Sequence, residues 1–252
     1  MSEGTEGKKG AGELTGKEPM GILFNRIARR YDLLNRVLSF GIDQHWRRIM
    51  LRKLKSRSEE RHADTYTVLD LATGTGDVVI GIRKRIPNAG VTGADLSLEM
   101  MKIGEEKVRR KGLNGVRFVP ADAADLPFGE NSFDAVTIAF GIRNFSQLDQ
   151  ALKEIRRVLK PGGTLLVLEF AWPRSKAVSA LYSAYSKVII PVAGQILAGD
   201  RAAYRYLTSS IRRFPNGEAI TGRMAGVGLT DCSYRPLGAG IVHLYEGRKT
   251  EA

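Results

Sequence analysis

A glycine turn and a set of carboxylates are the residues whose types and spacing point to chemistry. The stretch VLDLATGTGDVVI is typical of a strand, a tight turn that contains Gly74 and Gly76, and the start of a helix. Glycines in such a turn let the backbone bend sharply and approach a ligand closely. Asp95 follows about 20 residues later, at the end of a predicted strand, where a carboxylate can bind both hydroxyls of a ribose. The pattern predicts a nucleoside ligand.

The residues around this turn favour a cationic nucleoside over a dinucleotide. A dinucleotide fingerprint has a third small residue that allows close helix packing, and Val79 stands at that position. Asp77 at the helix start would repel a pyrophosphate, which binds there in dinucleotide enzymes. S-adenosylmethionine has no pyrophosphate and carries an ammonium and a sulfonium, so a turn flanked by Asp70 and Asp77 suits it. The alternative is that Asp77 only stabilises the N-terminal end of the helix.

A further carboxylate, Asp122, follows the next predicted strand in VPADAADLP. Because the carboxyl ends of parallel strands share one edge of a sheet, Asp122 is expected beside Asp95. There it can accept a hydrogen bond from an adenine amino group, with Ala123 next to it. By contrast, Pro161-Gly162-Gly163 is expected to turn the chain from a helix into a strand, which is a structural and not a catalytic role.

The elements that must position these residues alternate along the chain. Helices are predicted over 76–86, 97–112 and 148–160, between strands at 67–72, 90–95, 116–121, 133–140 and 164–170. Such alternation indicates βαβ units and a mostly parallel sheet with helices on both faces. Residues 226–236 and 239–247 are expected to close the sheet as an antiparallel pair. The fold class is therefore α/β.

The remaining segments surround this core. Residues 1–19 have no apolar run and are expected to be a flexible tail. Residues 20–252 are expected to form a single domain, with a helical cap at 20–60 and a helical insertion at 174–215. Within the insertion, 177–190 is predicted to be an amphipathic helix that breaks near Pro191, and its polar residues argue against a membrane span.

The charge of the chain indicates an anionic partner. With 39 Lys and Arg against 27 Asp and Glu, the net charge is +12. A nucleic acid, an anionic membrane surface and a phosphorylated substrate all fit such an excess. The single cysteine, Cys232, excludes an internal disulfide and fits a reducing compartment.

Motifs outside the glycine turn carry a resemblance to one enzyme family. They are Tyr31-Asp32, Asn35, Ser39-Phe40-Gly41 and Trp46, then FGIRN at 140–144, RVLKPGG and YRYL at 204–207. Over about residues 24–247 the chain resembles the quinone-biosynthesis C-methyltransferases, which include demethylmenaquinone methyltransferase and 2-methoxy-6-polyprenyl-1,4-benzoquinol methylase. The chain departs from the family at Leu34, Asp43 and Ala171, where Met, His and Ser are usual. Asp43 puts in doubt any role of the family's histidine.

The resemblance implies a class I methyltransferase fold: a Rossmann-like sheet with an antiparallel C-terminal strand, S-adenosylmethionine as cofactor, and no metal. The implied cofactor residues are Asp70, Gly74, Thr75, Gly76, Asp95, Leu96, Asp122, Ala123 and Ala139. The implied substrate residues are Tyr31, Asn35, Trp46, Asn144 and Tyr206. The implied catalytic residues are Arg143, Asp200 and Tyr204.

The implied reaction is methylation of a ring carbon of a polyprenyl quinol, in menaquinone or ubiquinone biosynthesis. Arg143 would stabilise a phenolate by its charge, or, alternatively, pair with a nearby carboxylate. Water held by Asp200 or Tyr204 is a candidate base. The segment from Tyr31 to Trp46 would cap the cofactor and the ring, or only pack on the sheet as a helix pair.

Two other functions compete with this interpretation. The charge permits an RNA methyltransferase, although the Asn/Asp-Pro-Pro-aromatic motif of such enzymes is replaced by AFGIRNF after the fourth strand. A non-catalytic subunit of a quinone-synthesis complex is the other, and the intact cofactor residues argue against it. The expected location is cytoplasmic, peripheral to the inner face of the membrane, without nucleic acid. The sequence leaves homodimer formation and the choice between naphthoquinol and benzoquinol open, with a preference for demethylmenaquinol.

Overall fold

The computed structural model describes residues 36, 39–61, 65–173, 175–180, 182–184 and 208–251. The predicted tail, the first part of the cap and most of the helical insertion lie outside the described residues. So do five predicted site residues, namely Tyr31, Asn35, Asp200, Tyr204 and Tyr206.

The described chain alternates strands and helices as expected. The strands are β1 (Tyr66–Leu71), β2 (Ala89–Asp95), β3 (Val116–Pro120), β4 (Phe133–Ala139), β5 (Leu159–Phe170), β6 (Leu229–Leu237) and β7 (Val242–Lys249). The helices are α1 (Ile42–Glu60), α2 (Asp77–Arg85), α3 (Leu98–Arg110), α4 (Leu148–Val158) and α5 (Glu218–Gly226). A short 3-10 turn (Ile142–Asn144) follows β4, and residues 176–180, 182–184 and 208–213 are helical.

The strands form one seven-stranded sheet in the order β3-β2-β1-β4-β5-β7-β6. The neighbours from β3 to β5 are parallel, whereas β7 is antiparallel to both β5 and β6. This confirms the predicted fold class. The strand order reverses between β1 and β4, and ligands of open α/β sheets bind at such a switch point, beyond the carboxyl ends of the strands.

Both faces of the sheet are covered, because successive strand residues point to opposite sides. Leu166 and Leu168 of β5 join one core with α1 and α2, whereas Leu165 and Val167 join the other with α4 and α5. Burial on both faces explains why the strand sequences are continuous apolar runs and do not alternate between apolar and polar residues. Both cores include residues of β1 and β4, and this packing on two faces positions the loops that follow these strands.

The structure corrects several predicted boundaries and adds one helix. Strand β5 begins at Leu159 and not at residue 164, and β7 begins at Val242 and not at residue 239. Helix α4 ends at Val158 and not at residue 160, since Leu159 already pairs with Phe133. The Pro-Gly-Gly residues then lie in the irregular part of β5, before Thr164 pairs with Ala135. Helix α5 was not predicted, and it moves the start of the following strand from residue 226 to Leu229.

A membrane-spanning helix is also missing from the described part of the chain, where every helix is too short or too polar to cross a bilayer.

Candidate functional site

The glycine turn between β1 and α2 lies at the carboxyl edge of the sheet. Gly74 and Gly76 both have positive φ, 54° and 77°. A Cβ on Gly76 would lie 3.1 Å from the Phe118 ring and 3.4 Å from Gly104 Cα, whereas a Cβ on Gly74 would meet nothing within 4 Å. Gly76 therefore lets the turn pack on α3, and Gly74 borders open space that a ligand can enter.

Asp95 fastens the end of β2 to this turn. Its Oδ2 accepts a hydrogen bond from the Gly74 N–H and its Oδ1 from the Ser97 N–H, each at 2.8 Å. Burial raises the pKa of Asp95, and the hydrogen bonds from Ser97 and Gly74 oppose that rise. The side chain of the neighbouring Leu96 is 54% exposed. The strand end thus presents a half-buried carboxylate beside an accessible apolar surface.

Asp122 lies on the same edge as Asp95, as the sequence predicted. The N–H of Ala121 donates to the Asp95 carbonyl at 3.1 Å, which brings the two strand ends together. Asp122 is exposed, and its Oδ1 accepts from the Ala124 N–H at 2.9 Å. Ala123 between them is buried, and it packs in the core on the α4 side of the sheet.

Asp70 ties the turn to β4. It is 1% exposed, and its carboxylate oxygens accept hydrogen bonds from the hydroxyls of Thr73 (2.7 Å) and Thr137 (2.6 Å). Burial raises the pKa of Asp70 to about 7, despite these bonds and the field of Arg47. The carboxylate is therefore an internal brace of the turn, and its contact with a cofactor stays a prediction.

Asp77 is paired with cations of the chain itself. Lys107 Nζ lies 2.7 Å from Asp77 Oδ1 and donates to Thr75 Oγ1 at 3.0 Å, and Arg47 Nη1 is 3.6 Å from Asp77 Oδ2. Burial favours the neutral acid, but Lys107 and Arg47 outweigh it and hold the pKa of Asp77 below its ordinary value. Sequence reasoning missed both cations, because each comes from a helix distant in sequence from the turn.

Arg143 lies in the short turn after β4, in an ion pair with Glu169. Its Nη1 is 2.7 Å from Glu169 Oε1 and donates to the Phe140 carbonyl at 2.6 Å. The Arg143 side chain is 5% exposed and that of Glu169 is 0% exposed. The structure thus shows the pairing considered as the alternative for Arg143. Glu169 was missed, although its place next to the carboxyl end of β5 was a usable signal.

Arg143 also borders a cavity of about 580 Å³ on the α4 side of the sheet. Its lining includes Phe145, Leu148, Ser210, Arg213 and Phe214. Asn144 and Ala139 are half-buried at the same strand end. The cavity combines aromatic rings with three arginines, Arg143, Arg213 and Arg223, a lining that suits a ligand with an apolar body and polar substituents.

Trp46 of α1 is part of an aromatic cluster above β4 and β5. Its ring centroid lies 6.4 Å from those of both Phe140 and Phe170, which are themselves 4.5 Å apart. Trp46 is 7% exposed. Packing on the sheet, the alternative considered for the opening segment, is what the structure shows for this residue. Contact between Trp46 and a substrate stays a prediction.

Asp43 stands where a histidine is usual in the family that the sequence resembles. It is 2% exposed, and it accepts hydrogen bonds from Ser39 Oγ (2.8 Å) and Arg47 Nη1 (2.7 Å). Its side chain therefore positions Arg47. Among the described residues no cluster of His, Cys, Asp or Glu has the geometry of a metal site.

Known proteins are similar to this chain in sequence and in fold. Residues 14–249 match the model of the ubiE/COQ5 methyltransferase family. The chain is 43% identical to the ubiquinone/menaquinone biosynthesis C-methyltransferase UbiE of Geotalea daltonii, over 90% of this chain and 94% of that protein. It is 44% identical to the demethylmenaquinone methyltransferase of Thermus thermophilus, over 89% of this chain and 99% of that protein.

The fold is also found in a solved structure at lower identity. Phosphoethanolamine N-methyltransferase 2 of Haemonchus contortus, in complex with S-adenosyl-L-methionine, has a TM-score of 0.56 at 17% identity. The likeness covers 74% of this chain and 49% of that one. With the sheet order, the glycine turn and the family match together, the chain belongs to the ubiE/COQ5 methyltransferase family.

Proposed function

We propose that this protein transfers a methyl group from S-adenosylmethionine to a ring carbon of a polyprenyl quinol, with demethylmenaquinol as the preferred acceptor. The observation that carries the proposal is identity of 43–44%, over nearly the whole length, to proteins named for menaquinone and ubiquinone biosynthesis. The geometry of the carboxyl edge of the sheet supports it.

The residues at this edge fit S-adenosylmethionine. A Cβ on Gly74 would meet nothing within 4 Å, which leaves space for a ligand. Asp95 is the proposed contact of the ribose hydroxyls, and the exposed Asp122 is the proposed contact of the adenine amino group. Thr75, Leu96, Ala123 and Ala139 complete the proposed contacts. When bound, the cofactor supplies an electrophilic methyl group on its sulfonium.

The protein's task towards the acceptor is to stabilise its anion. A phenol titrates near 10, and loss of its proton places negative charge on the neighbouring ring carbon. Arg143 at the end of β4 offers a permanent positive charge there, and Glu169 holds its guanidinium in place. Water held by Asp200 or Tyr204 is the proposed base, and Tyr31, Asn35, Trp46, Asn144 and Tyr206 are the proposed acceptor contacts.

We further propose that the protein reaches its substrate by docking reversibly on the cytoplasmic face of the membrane. A polyprenyl quinol resides in the bilayer. The net charge of +12 favours anionic lipid. The predicted amphipathic helix at 177–190, of which residues 177–180 and 182–184 are helical in the structure, would supply the apolar contact.

The acceptor class can be tested in one panel. The purified protein is incubated with S-adenosylmethionine and demethylmenaquinol, a prenylated benzoquinol or RNA, and the products are identified by mass spectrometry. Methylated demethylmenaquinol is the expected product, and Asp95→Ala should reduce its formation by weakening cofactor binding. Methylation of RNA with neither quinol modified would overturn the proposal in favour of an RNA methyltransferase.

A further inference from the structure

Arg47 of α1 reaches from the cap helix over the glycine turn. Its guanidinium carbon lies 5.4 Å from the centroid of the Phe140 ring, and its Nη1 is 3.6 Å from Asp77 Oδ2. Phe140 follows β4 and Asp77 begins the helix after β1. The guanidinium therefore sits at the switch point between the two strands, and 15% of its side chain is exposed.

The guanidinium is fixed in place but incompletely hydrogen-bonded. Asp43 accepts from Nη1 at 2.7 Å, and Asp43 is in turn held by Ser39 Oγ at 2.8 Å. The buried Nε of Arg47 has no hydrogen-bond partner among the described residues. A buried N–H without a partner costs free energy, so an acceptor that binds beside it is favoured.

The methionine part of S-adenosylmethionine is a zwitterion, with an α-ammonium and an α-carboxylate. The sequence predicts Asp70 and Asp77 as the partners of the ammonium. The carboxylate needs a cation with free hydrogen-bonding capacity, and a guanidinium presents five N–H donors in a planar fork. Lys107, the other cation beside Asp77, already donates to both Asp77 and Thr75.

We propose that Arg47 binds the α-carboxylate of the cofactor's methionine moiety, and that Asp43 positions the guanidinium for this contact. The inference rests on the cofactor assigned under the proposed function. It makes α1 part of the cofactor site and not only a packing element. It also makes the carboxylate a feature that the enzyme selects, so that decarboxylated adenosyl compounds bind more weakly.

Two ligands isolate this contact. S-adenosylhomocysteine carries the carboxylate, and S-adenosyl-3-thiopropylamine has the same adenosine, sulfur and amine but lacks it. Calorimetry on the full chain should show that the first binds about tenfold to a hundredfold more tightly than the second, as expected for charge-assisted hydrogen bonds. Arg47→Met should remove most of this difference by weakening only S-adenosylhomocysteine.

The matched control is Arg48→Met, which removes an exposed arginine of the same helix and should leave both affinities unchanged. Binding of S-adenosyl-3-thiopropylamine also shows that Arg47→Met is folded. Equal weakening of both ligands by Arg47→Met, or no weakening of either, would overturn the assignment of Arg47. Failure of the wild type to bind either ligand would instead contradict the proposed function.

Discussion

Arg143 and Glu169 show how a residue's surroundings decide what it can do. A buried ion pair with a short contact holds the guanidinium in one orientation, at the end of the strand where the acceptor is proposed to bind. Substitution of either residue by an uncharged one would leave the other as a buried charge without a partner, which costs about 3–5 kcal/mol of stability. The pair therefore links the ends of β4 and β5, and it also fixes the position of the Arg143 guanidinium at the site.

The first prediction concerns Arg143→Lys. Lysine keeps the charge but loses the planar fork that contacts Glu169 and the Phe140 carbonyl together. Turnover should fall at least about tenfold, one power of ten for each 1.36 kcal/mol of barrier, while cofactor affinity measured by calorimetry stays near wild type. If cofactor affinity falls together with turnover, Arg143 acts on the cofactor or on the fold and not on the acceptor.

A second residue-scale prediction follows from Asp70, whose pKa burial raises to about 7. Between pH 4 and 7 the folded state then binds more protons than the unfolded state, whose Asp titrates near 3.9. The contribution of Asp70 to the free energy of unfolding should therefore fall as pH rises through this window, at up to about 1.4 kcal/mol for each pH unit. Above pH 7 this penalty is fully present.

Asp70→Asn removes the titrating group and keeps a similar shape between Thr73 and Thr137. We expect the stability of the variant relative to wild type to rise steadily from pH 4 to pH 7, in urea unfolding followed by circular dichroism. A difference that is constant with pH would contradict the raised pKa. Since other groups titrate equally in both proteins, only the difference between them is informative.

At the scale of elements, the two glycines of the turn have different roles: Gly74 leaves space for the ligand, and Gly76 allows the turn to pack on α3. Gly74→Ala places a methyl group in open space, so the loss of stability should be only the strain of a positive φ, about 1–2 kcal/mol. Because this space is where the cofactor is proposed to bind, the same methyl group should weaken cofactor binding. Gly76→Ala adds a contact of 3.1 Å with Phe118, so it should destabilise the fold more. Thermal unfolding and cofactor titration of both variants check this, and equal effects of the two substitutions on both quantities would contradict it.

The elements were predictable where the physics is local. Apolar runs such as TLLVLEF indicate strands that are covered on both faces. The positions of these runs were sufficient to predict the strands and their alternation with helices along the chain. Helix α5 was not predicted, because its two glycines weaken the pattern and only Ile220 and Met224 are buried along it. The contacts of Arg47 and Lys107 with Asp77 were not predictable, since they depend on how α1 and α3 pack beside the turn.

At the scale of the whole molecule, the net charge of +12 predicts how the protein meets a membrane. Each Lys or Arg near an anionic surface contributes on the order of 1 kcal/mol, and salt screens this attraction. In liposome sedimentation, binding should be stronger to anionic than to neutral vesicles and should weaken as salt rises. Equal binding to both kinds of vesicle would show that charge is not the docking force.

The transfer of a methyl group to a quinol ring carbon is tested most directly with a cofactor that carries a deuterated methyl group. The protein is incubated with this cofactor and demethylmenaquinol, and the position of the label in the product is read by tandem mass spectrometry and NMR. The predicted result is a deuterated methyl group on the ring carbon next to a hydroxyl. A label on a quinol oxygen, or no label in the quinol while the cofactor is bound, would contradict the proposed reaction.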